Sequence, residues 1–307
     1  MNITSLTINP ALDKNAKVAG LIATQKLKCH SIHYQPGGGG VNVSRMLHRL
    51  GEKTNCVFPS GGHTGKHLND LLLKEGVPAM QIPVKEWTRE NLSVVDEHTK
   101  LQYRFGMPGG TLYNSELKTI QTFVDKQLNE KDILVLSGSL PEGIPTDYYT
   151  QWIAHTSLKN IKVVIDTSGP ALMEALKEPV FLLKPNQKEL AQLAGKSFLS
   201  SAEQEAVALE MIATKKATYI VVSLGARGAF LASKEGVVYQ PTPSVAVQST
   251  IGAGDSMVAG LIYAIKNNFA DRDILKWGVA CGVATTMSEG TSLGSTTNVT
   301  KILHMIG

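Results

Sequence analysis

Cysteine is scarce in this chain: three in 307 residues, Cys29, Cys56 and Cys281, far apart and in no C-x-x-C spacing. This argues against a disulfide framework or a zinc knuckle and for a reducing compartment. No block of one charge stands out either. Thirty Lys+Arg against 26 Asp+Glu leave a formal +4, and the basic residues occur at most in pairs such as Lys215-Lys216. A nucleic-acid-binding stripe is therefore not expected. There is no apolar run long enough to span a membrane. Met1–Ser5 lacks the basic-then-apolar order of a signal peptide, so a cytoplasmic location is the expectation. No linker rich in Gly, Pro or Ser divides the chain, and no repeat or low-complexity tract is visible. With 43% hydrophobic and 18% charged residues, the composition is that of a globular protein rather than a disordered one. One large domain, or one with a small appendage, fits the length.

What is present is a recurrence of strand, turn and helix. Ile3–Ile8 alternates like a strand and stops at Asn9-Pro10. Val41–Leu50 has helical spacing and ends at Gly51, and Asn55–Phe58 reads as the next strand. Gly65–Glu75 reads as a helix, and so does Ser115–Leu128 with Asn114 as N-cap. Ile133–Leu136, Val163–Ile165, Phe181–Leu183 and Tyr219–Val222 are short continuous apolar runs, the pattern of strands buried on both faces. This predicts an α/β protein with a largely parallel sheet. Two stretches break the rhythm. Lys14–Gln35 shows no helix, and its second half reads as strand. Thr88–Met107 contains two strand-like runs, Leu92–Val95 and Leu101–Phe105. Together they predict a small antiparallel β insertion. Ligands of parallel α/β sheets collect beyond the strands' carboxyl ends, which draws attention to Asp13, Ser139, Lys184 and Ser223.

Four motifs carry the chemistry. Gly37–Gly40, between a strand-like run and a helix, lets backbone N–H groups approach an anion, yet it fails the G-x-G-x-x-G pattern. Gly62–His67 likewise fails the Walker pattern, with Ser60 in place of the opening Gly and His67 in place of the Ser/Thr. Gly252-Ala253-Gly254 precedes an apolar helix and leaves donors for developing negative charge. Asp255 would repel a bound phosphate there. Accepting a proton from an attacking hydroxyl is the role that fits, and a first-turn helix carboxylate is the plain alternative. Asn186 and Glu189, three apart after Lys184, suit a hydrated Mg²⁺ or, equally, an Asn-x-x-Glu helix cap. Ser223-Leu224-Gly225 to Gly228 suits nucleotide phosphate or a hairpin. Lys26, Lys28, Arg89 and Arg104 fall within the suspected insertion, where they form either a phosphate patch or a solvated face.

Taken in order, these motifs resemble the ribokinase-like, pfkB-type carbohydrate kinases over essentially the whole chain. Asn9–Asp13, Gly37–Asn42, Ser137–Pro141, Lys184–Glu189, Ser223–Gly225 and Ser249–Asp255 carry the resemblance. Within that family Lys26–Cys29, Trp87–Leu92 and Gln102–Phe105 look most like the minor type of 6-phosphofructokinase. The resemblance implies a three-layer α/β/α core from residues 1–10, 36–86 and 109–307. It also implies a small antiparallel β lid from residues 11–35 and 87–108 that forms a homodimer interface, with Leu92, Val94, Tyr103 and Phe105 among the contributors.

The implied reaction is transfer of the ATP γ-phosphoryl to the C1 hydroxyl of fructose 6-phosphate. Asp255 would be the base, and Gly252, Ala253 and Gly254 the anion hole. Asp13, Gly38, Gly39, Asn42 and Ser139 would surround the sugar, and Arg89 and Arg104 its phosphate. Lys184, Asn186, Ser223, Gly225 and Gly228 would meet nucleotide, with Asn186 and Glu189 organising Mg²⁺ through water. Lys26 and Lys28 would reach a neighbouring site across the dimer. A potassium ion would sit among Ser249, Ile251, Ser288, Gly290 and Ser292. Tagatose-6-phosphate kinase and fructose-1-phosphate kinase are the nearest alternative activities; a non-catalytic sugar-phosphate sensor is the alternative from another class. A dinucleotide-dependent oxidoreductase is disfavoured by the missing fingerprint.

Overall fold

The computed structural model describes residues 1–307. The first part of the chain comprises β1 (Ile3–Leu6), β2 (Ala11–Val18), β3 (His30–Gly37), α1 (Gly39–Arg49), β4 (Thr54–Ser60), α2 (Gly62–Lys74), β5 (Ala79–Pro83), β6 (Arg89–Asp96) and β7 (Gln102–Phe105). Then follow α3 (Asn114–Gln127), β8 (Ile133–Ser137), α4 (Tyr148–Ser157), β9 (Lys162–Asp166), α5 (Gly169–Ala175), β10 (Val180–Leu183), α6 (Gln187–Leu193), α7 (Ser201–Ala213) and β11 (Ala217–Ser223). The last part holds a 3₁₀ turn at Gly225–Arg227, β12 (Ala229–Ser233), β13 (Gly236–Gln240), α8 (Ala253–Lys266), α9 (Asp271–Thr286) and α10 (Thr296–Met305).

Nine strands form one sheet in the order β13-β12-β11-β10-β9-β8-β1-β4-β5, parallel from β5 to β11 and antiparallel beyond. The apolar runs behave as strands covered on both faces. On β8, Leu134 and Leu136 join a core with α3, α4, α5, α6 and α7, while Ile133 and Val135 pack with α1, α8, α9 and α10. The result is a three-layer α/β/α sandwich. No helix is long and apolar enough to cross a membrane. β1 lies between β4 and β8, so the chain reverses its direction of travel there, and the carboxyl ends of β1, β8, β9 and β10 open onto one cleft.

The remaining strands form a second sheet, β3-β2-β6-β7. Two of its three pairings are antiparallel, but β2 and β6 run parallel from Ala11↔Arg89 to Val18↔Asp96. A parallel neighbour needs a long crossover, which the segment from α1 to β5 provides. β2 is a strand where the sequence reading found no element in the first half of Lys14–Gln35. Its alternation is broken at Lys14, which stands on the same face as Leu12, Ala16 and Val18, opposite Asp13, Asn15 and Lys17. Gly37–Asn42 is likewise not a loop: β3 runs to Gly37, α1 begins at Gly39, and Gly38 alone turns between them. Asn114 is the first residue of α3 rather than its cap; the Tyr113 N–H donates to Glu116 Oε2 at 2.8 Å. Val94, expected on the dimer face, is buried within the protomer, whereas Tyr103 and Phe105 are exposed.

Candidate active site

Asp255 is the third residue of α8, and the left-handed Gly252 (φ 73°) turns the chain into that helix. The N–H groups of Gly252, Gly254 and Asp255 have no acceptor in the protein, while that of Ala253 leans on the Thr250 carbonyl at 3.4 Å. The motif thus presents three free donors where the helix dipole is positive. The Asp255 carboxylate lies deep in the cleft though still reached by solvent. Its Oδ2 accepts from Asn42 Nδ2 at 2.9 Å. Burial first, and the Asp166 carboxylate second, push its pKa up from 3.8 to about 7, while Asn42 and the Lys184 ammonium pull it down. Lys184, just beyond β10, is buried and pairs with Asp166 at 3.2 Å. A side chain at Gly254 would stand 3.4 Å from Lys184 Nζ, so the ammonium lies beneath the free N–H groups. Burial works against that charge, but Asp166, Asp255 and Glu189 together hold the lysine pKa above its ordinary value.

Beside this centre is a cavity of about 260 Å³ lined by Asp13, Lys14, Asn91, Leu92, Ser93, Arg104, Phe105, Gly106, Ile251 and Thr291. It lies between the small sheet and the loop that enters α8. Asp13 is buried on β2 and accepts from Asn91 Nδ2 at 2.9 Å. Burial raises its pKa against that hydrogen bond and the charges of Arg89, Arg45 and Arg104. Arg104 is exposed at the cavity. Arg89 donates to the Met107 and Asn9 carbonyls at 3.1 Å each, and its buried Nε has no partner. Ser139 Oγ accepts from Asn9 Nδ2 at 3.2 Å at the cleft's edge. Gly39 is required by close approach: a Cβ there would lie 2.2 Å from Ser137 Oγ and 2.8 Å from Gly138 N.

On the other side, Asn186 and Glu189 form the helix cap of α6. Asn186 Oδ1 accepts from the Glu189 N–H at 2.9 Å, and Glu189 Oε2 accepts from the Asn186 N–H at 2.8 Å. The cap leaves Glu189 Oε1 free of hydrogen bonds. Ser223 is joined to this turn by its N–H to the Pro185 carbonyl at 3.0 Å, and Gly225 begins the 3₁₀ turn beyond it. The hairpin alternative for this motif holds too, since β11 and β12 pair antiparallel and Gly228 lies against the Gln240 carbonyl. Packing therefore accounts for Gly228 without a ligand. Lys26 and Lys28 are exposed on the β2–β3 connection and do not line the cavity. The carbonyls of Ser249, Ile251, Ser288, Gly290 and Ser292 accept no hydrogen bond, and Asn15 Oδ1, buried beside Gly290, has no partner.

The sequence matches the pfkB family carbohydrate kinase profile over residues 7–298. The chain belongs to this family. It is 38% identical over 303 residues to ATP-dependent 6-phosphofructokinase isozyme 2 of Escherichia coli (strain K12), covering 98% of both chains. It is 30% identical to 1-phosphofructokinase of Bacillus subtilis (strain 168), covering 98% of this chain and 97% of the relative. The crystal structure of phosphofructokinase-2 from Escherichia coli in complex with substrates and products superposes with a TM-score of 0.96 at 38% identity, over 100% of this chain and 99% of the other.

For a pfkB-family kinase, the sequence reading overlooked three polar residues of the site. Asp166 stands at the end of β9 as a single acid with no motif around it; its place beyond a buried strand was the available signal. Asn91 follows Arg89 by two on β6, so the strand period alone puts both on one face. Arg45 carried no signal, because a charged helix residue is ordinarily solvated. Free N–H donors, a buried ammonium and a carboxylate able to take a proton near neutrality, side by side, form an arrangement suited to phosphoryl transfer onto a hydroxyl.

Proposed function

We propose that the protein transfers the γ-phosphoryl of MgATP to the C1 hydroxyl of fructose 6-phosphate, giving fructose 1,6-bisphosphate and ADP. The observation that carries this reading is the Asp255 carboxylate, adjacent to three free N–H donors and to Lys184, beside a cavity that Asp13 and Arg104 line. The C1 oxygen attacks phosphorus in line, its proton passes to Asp255, and the bond to the ADP oxygen breaks. Gly252, Gly254 and Asp255 N–H groups and Lys184 stabilise the transferring charge, which is the main lever available for this chemistry. Asp13, with Asn91, holds sugar hydroxyls together with Asn42, Ser139 and the Gly38–Gly39 backbone. Arg104, exposed at the cavity, faces the sugar phosphate, for which planar guanidinium donors are suited; Arg89, outside that lining and donating to the Met107 and Asn9 carbonyls, joins it only by giving up one of these bonds. Nucleotide lies along Lys184, Asn186, Ser223 and Gly225. Glu189 steadies the water shell of the Mg²⁺ that arrives with ATP, and its free Oε1 fits that task.

The unused carbonyls of Ser249, Ile251, Ser288, Gly290 and Ser292 make a neutral oxygen set of the kind that suits a monovalent cation such as K⁺. Such an ion would add positive potential behind the anion site. The small sheet is read as a lid and homodimer interface, supported by Ile32, Leu101, Tyr103 and Phe105, apolar side chains that the protomer leaves exposed. Lys26 and Lys28, exposed here, then reach the partner's site or remain solvated. Sedimentation at micromolar concentration is expected to show a dimer; monomer alone would reject the interface.

A panel of fructose 6-phosphate, fructose 1-phosphate, tagatose 6-phosphate and ribose, read by coupled ADP release, tests the substrate. Fructose 6-phosphate is expected to have the highest kcat/KM, with tagatose 6-phosphate slower, since it differs in one hydroxyl's configuration. A kcat/KM about tenfold higher for either alternative (about 1.4 kcal/mol) would reassign the substrate and keep the mechanism. A lysine in place of Gly39 would set an ammonium close to the substrate and change which anion or hydroxyl this loop can meet. The contact of Gly39 with Ser137 and Gly138 leaves no room for one here.

A further inference from the structure

Arg45 is a charged residue in the wrong place for a surface helix. It lies on α1 with its side chain only 1% exposed, outside the cavity lining. Burying a guanidinium is costly unless its donors are matched, and here they are. Nε and Nη2 grip the Glu75 carboxylate at 2.9 and 2.6 Å, the two-pronged geometry that arginine alone provides. Nη1 donates to the Pro36 carbonyl at 2.8 Å and to Asn42 Oδ1 at 3.1 Å. The last bond has a consequence for the reaction centre. An asparagine amide has a donor end and an acceptor end, and Asn42 presents its acceptor to Arg45 and its donor to Asp255. The flipped amide would set NH₂ against guanidinium and oxygen against carboxylate, unfavourable at both ends.

We propose that Arg45 is a positioning residue for phosphoryl transfer: anchored by Glu75, it locks the Asn42 amide so that its NH₂ faces Asp255. This rests on the reading of Asp255 as the base. With Oδ2 held by Asn42, Asp255 keeps Oδ1 for the sugar proton. The other charged groups facing Asp255 are Asp166 from the end of β9, Lys184 from beyond β10 and Asp13 from β2. None of them constrains the Asn42 amide. Arg49 and His48 of α1 face Glu75, not Asn42.

The test compares Arg45→Met and Arg45→Lys in the wild-type and Asn42→Ala backgrounds. In the wild-type background both substitutions are expected to lower kcat about tenfold or more. The acidic limb of kcat/KM should move to higher pH by about half a unit or more, because a released Asn42 no longer reliably favours the charged carboxylate. In the Asn42→Ala background neither should move the limb further. The Asp255 carboxyl titration, followed by ¹³C NMR, should shift in the same way and needs no turnover. Should Arg45→Met fail to fold, Arg45→Lys carries the test, since it keeps the charge and loses the fork. An unmoved titration in the variants overturns the proposal, as does a shift of equal size in the Asn42→Ala background. Wild-type limb and titration in Arg45→Lys would show that charge alone suffices, and overturn it too. If the wild-type protein phosphorylated no sugar, the kinase reading would fail, while the NMR titration would still decide the role of Arg45.

Discussion

Asp255→Asn is expected to lower turnover by about 10²–10⁴, the usual cost of losing a general base. Nucleotide and sugar binding should hardly change. The asparagine is nearly isosteric, and its side-chain oxygen can still accept from Asn42 Nδ2. Stability gives a second readout with a definite sign. The folded protein raises this carboxyl from 3.8 to about 7, so it disfavours the charged form. Stability from this group is therefore present at low pH and is lost as pH rises from 3.8 towards 7. The variant should match wild type in Tm near pH 4 and equal or exceed it above pH 7, the pattern of a site whose charge is kept for activity. Turnover within about threefold of wild type would remove Asp255 from the mechanism.

Lys184→Met should be nearly as damaging and for two separable reasons. The ammonium is the cation between Asp166 and Asp255, and its loss leaves two carboxylates facing each other in a poorly solvated place. Asp255 then holds its proton to higher pH, and the donor beneath Gly254 disappears from the transferring phosphoryl. Loss of such a donor typically costs about 10²–10³ in kcat. The acidic limb should move up, so activity recovers in part on raising the pH, which the Asp255→Asn variant cannot do. Removing one partner of a buried ion pair also costs about 3–5 kcal/mol of stability. Because the fold raises the lysine pKa, that stabilisation is present below about 10.5 and fades as pH climbs through the folded value. A variant with wild-type kcat at pH 7, measured by ADP release, would show that Lys184 is structural only.

Much of the fold and site was legible because it is written locally. Ile133–Leu136 and Phe181–Leu183 are strands because their unbroken apolar composition allows burial on both faces. Lys184 was singled out because it follows such a strand, and Asp255 because it stands with Gly252-Ala253-Gly254 at the start of an apolar helix. What escaped was non-local or isolated. The parallel pairing of β2 with β6 joins residues 78 apart, from Ala11↔Arg89 to Val18↔Asp96, and no turn signal announces it. Asp166 acquires its meaning only from Lys184 and Asp255, which β10 and α8 deliver. Asn186 and Glu189 admitted two readings, and the cap is formed whether or not metal water is also held. Arg45 was invisible because composition cannot tell a solvated helix arginine from one enclosed by Pro36, Asn42 and Glu75.

The pairing of β2 with β6 also bears on how such a protein can change over generations. Residues 11–37 provide one two-stranded hairpin and residues 89–105 another, and a lone hairpin is marginal in water. They become a four-stranded sheet only when the core between them, from α1 to β5, has brought β2 alongside β6. The small sheet is thus not a portable module. Neither segment can be grafted, deleted or exchanged between relatives alone without leaving the other with an unpaired edge. A lineage that gains or sheds this sheet must alter two distant stretches of its gene together, or pass through an intermediate with an exposed strand open to association.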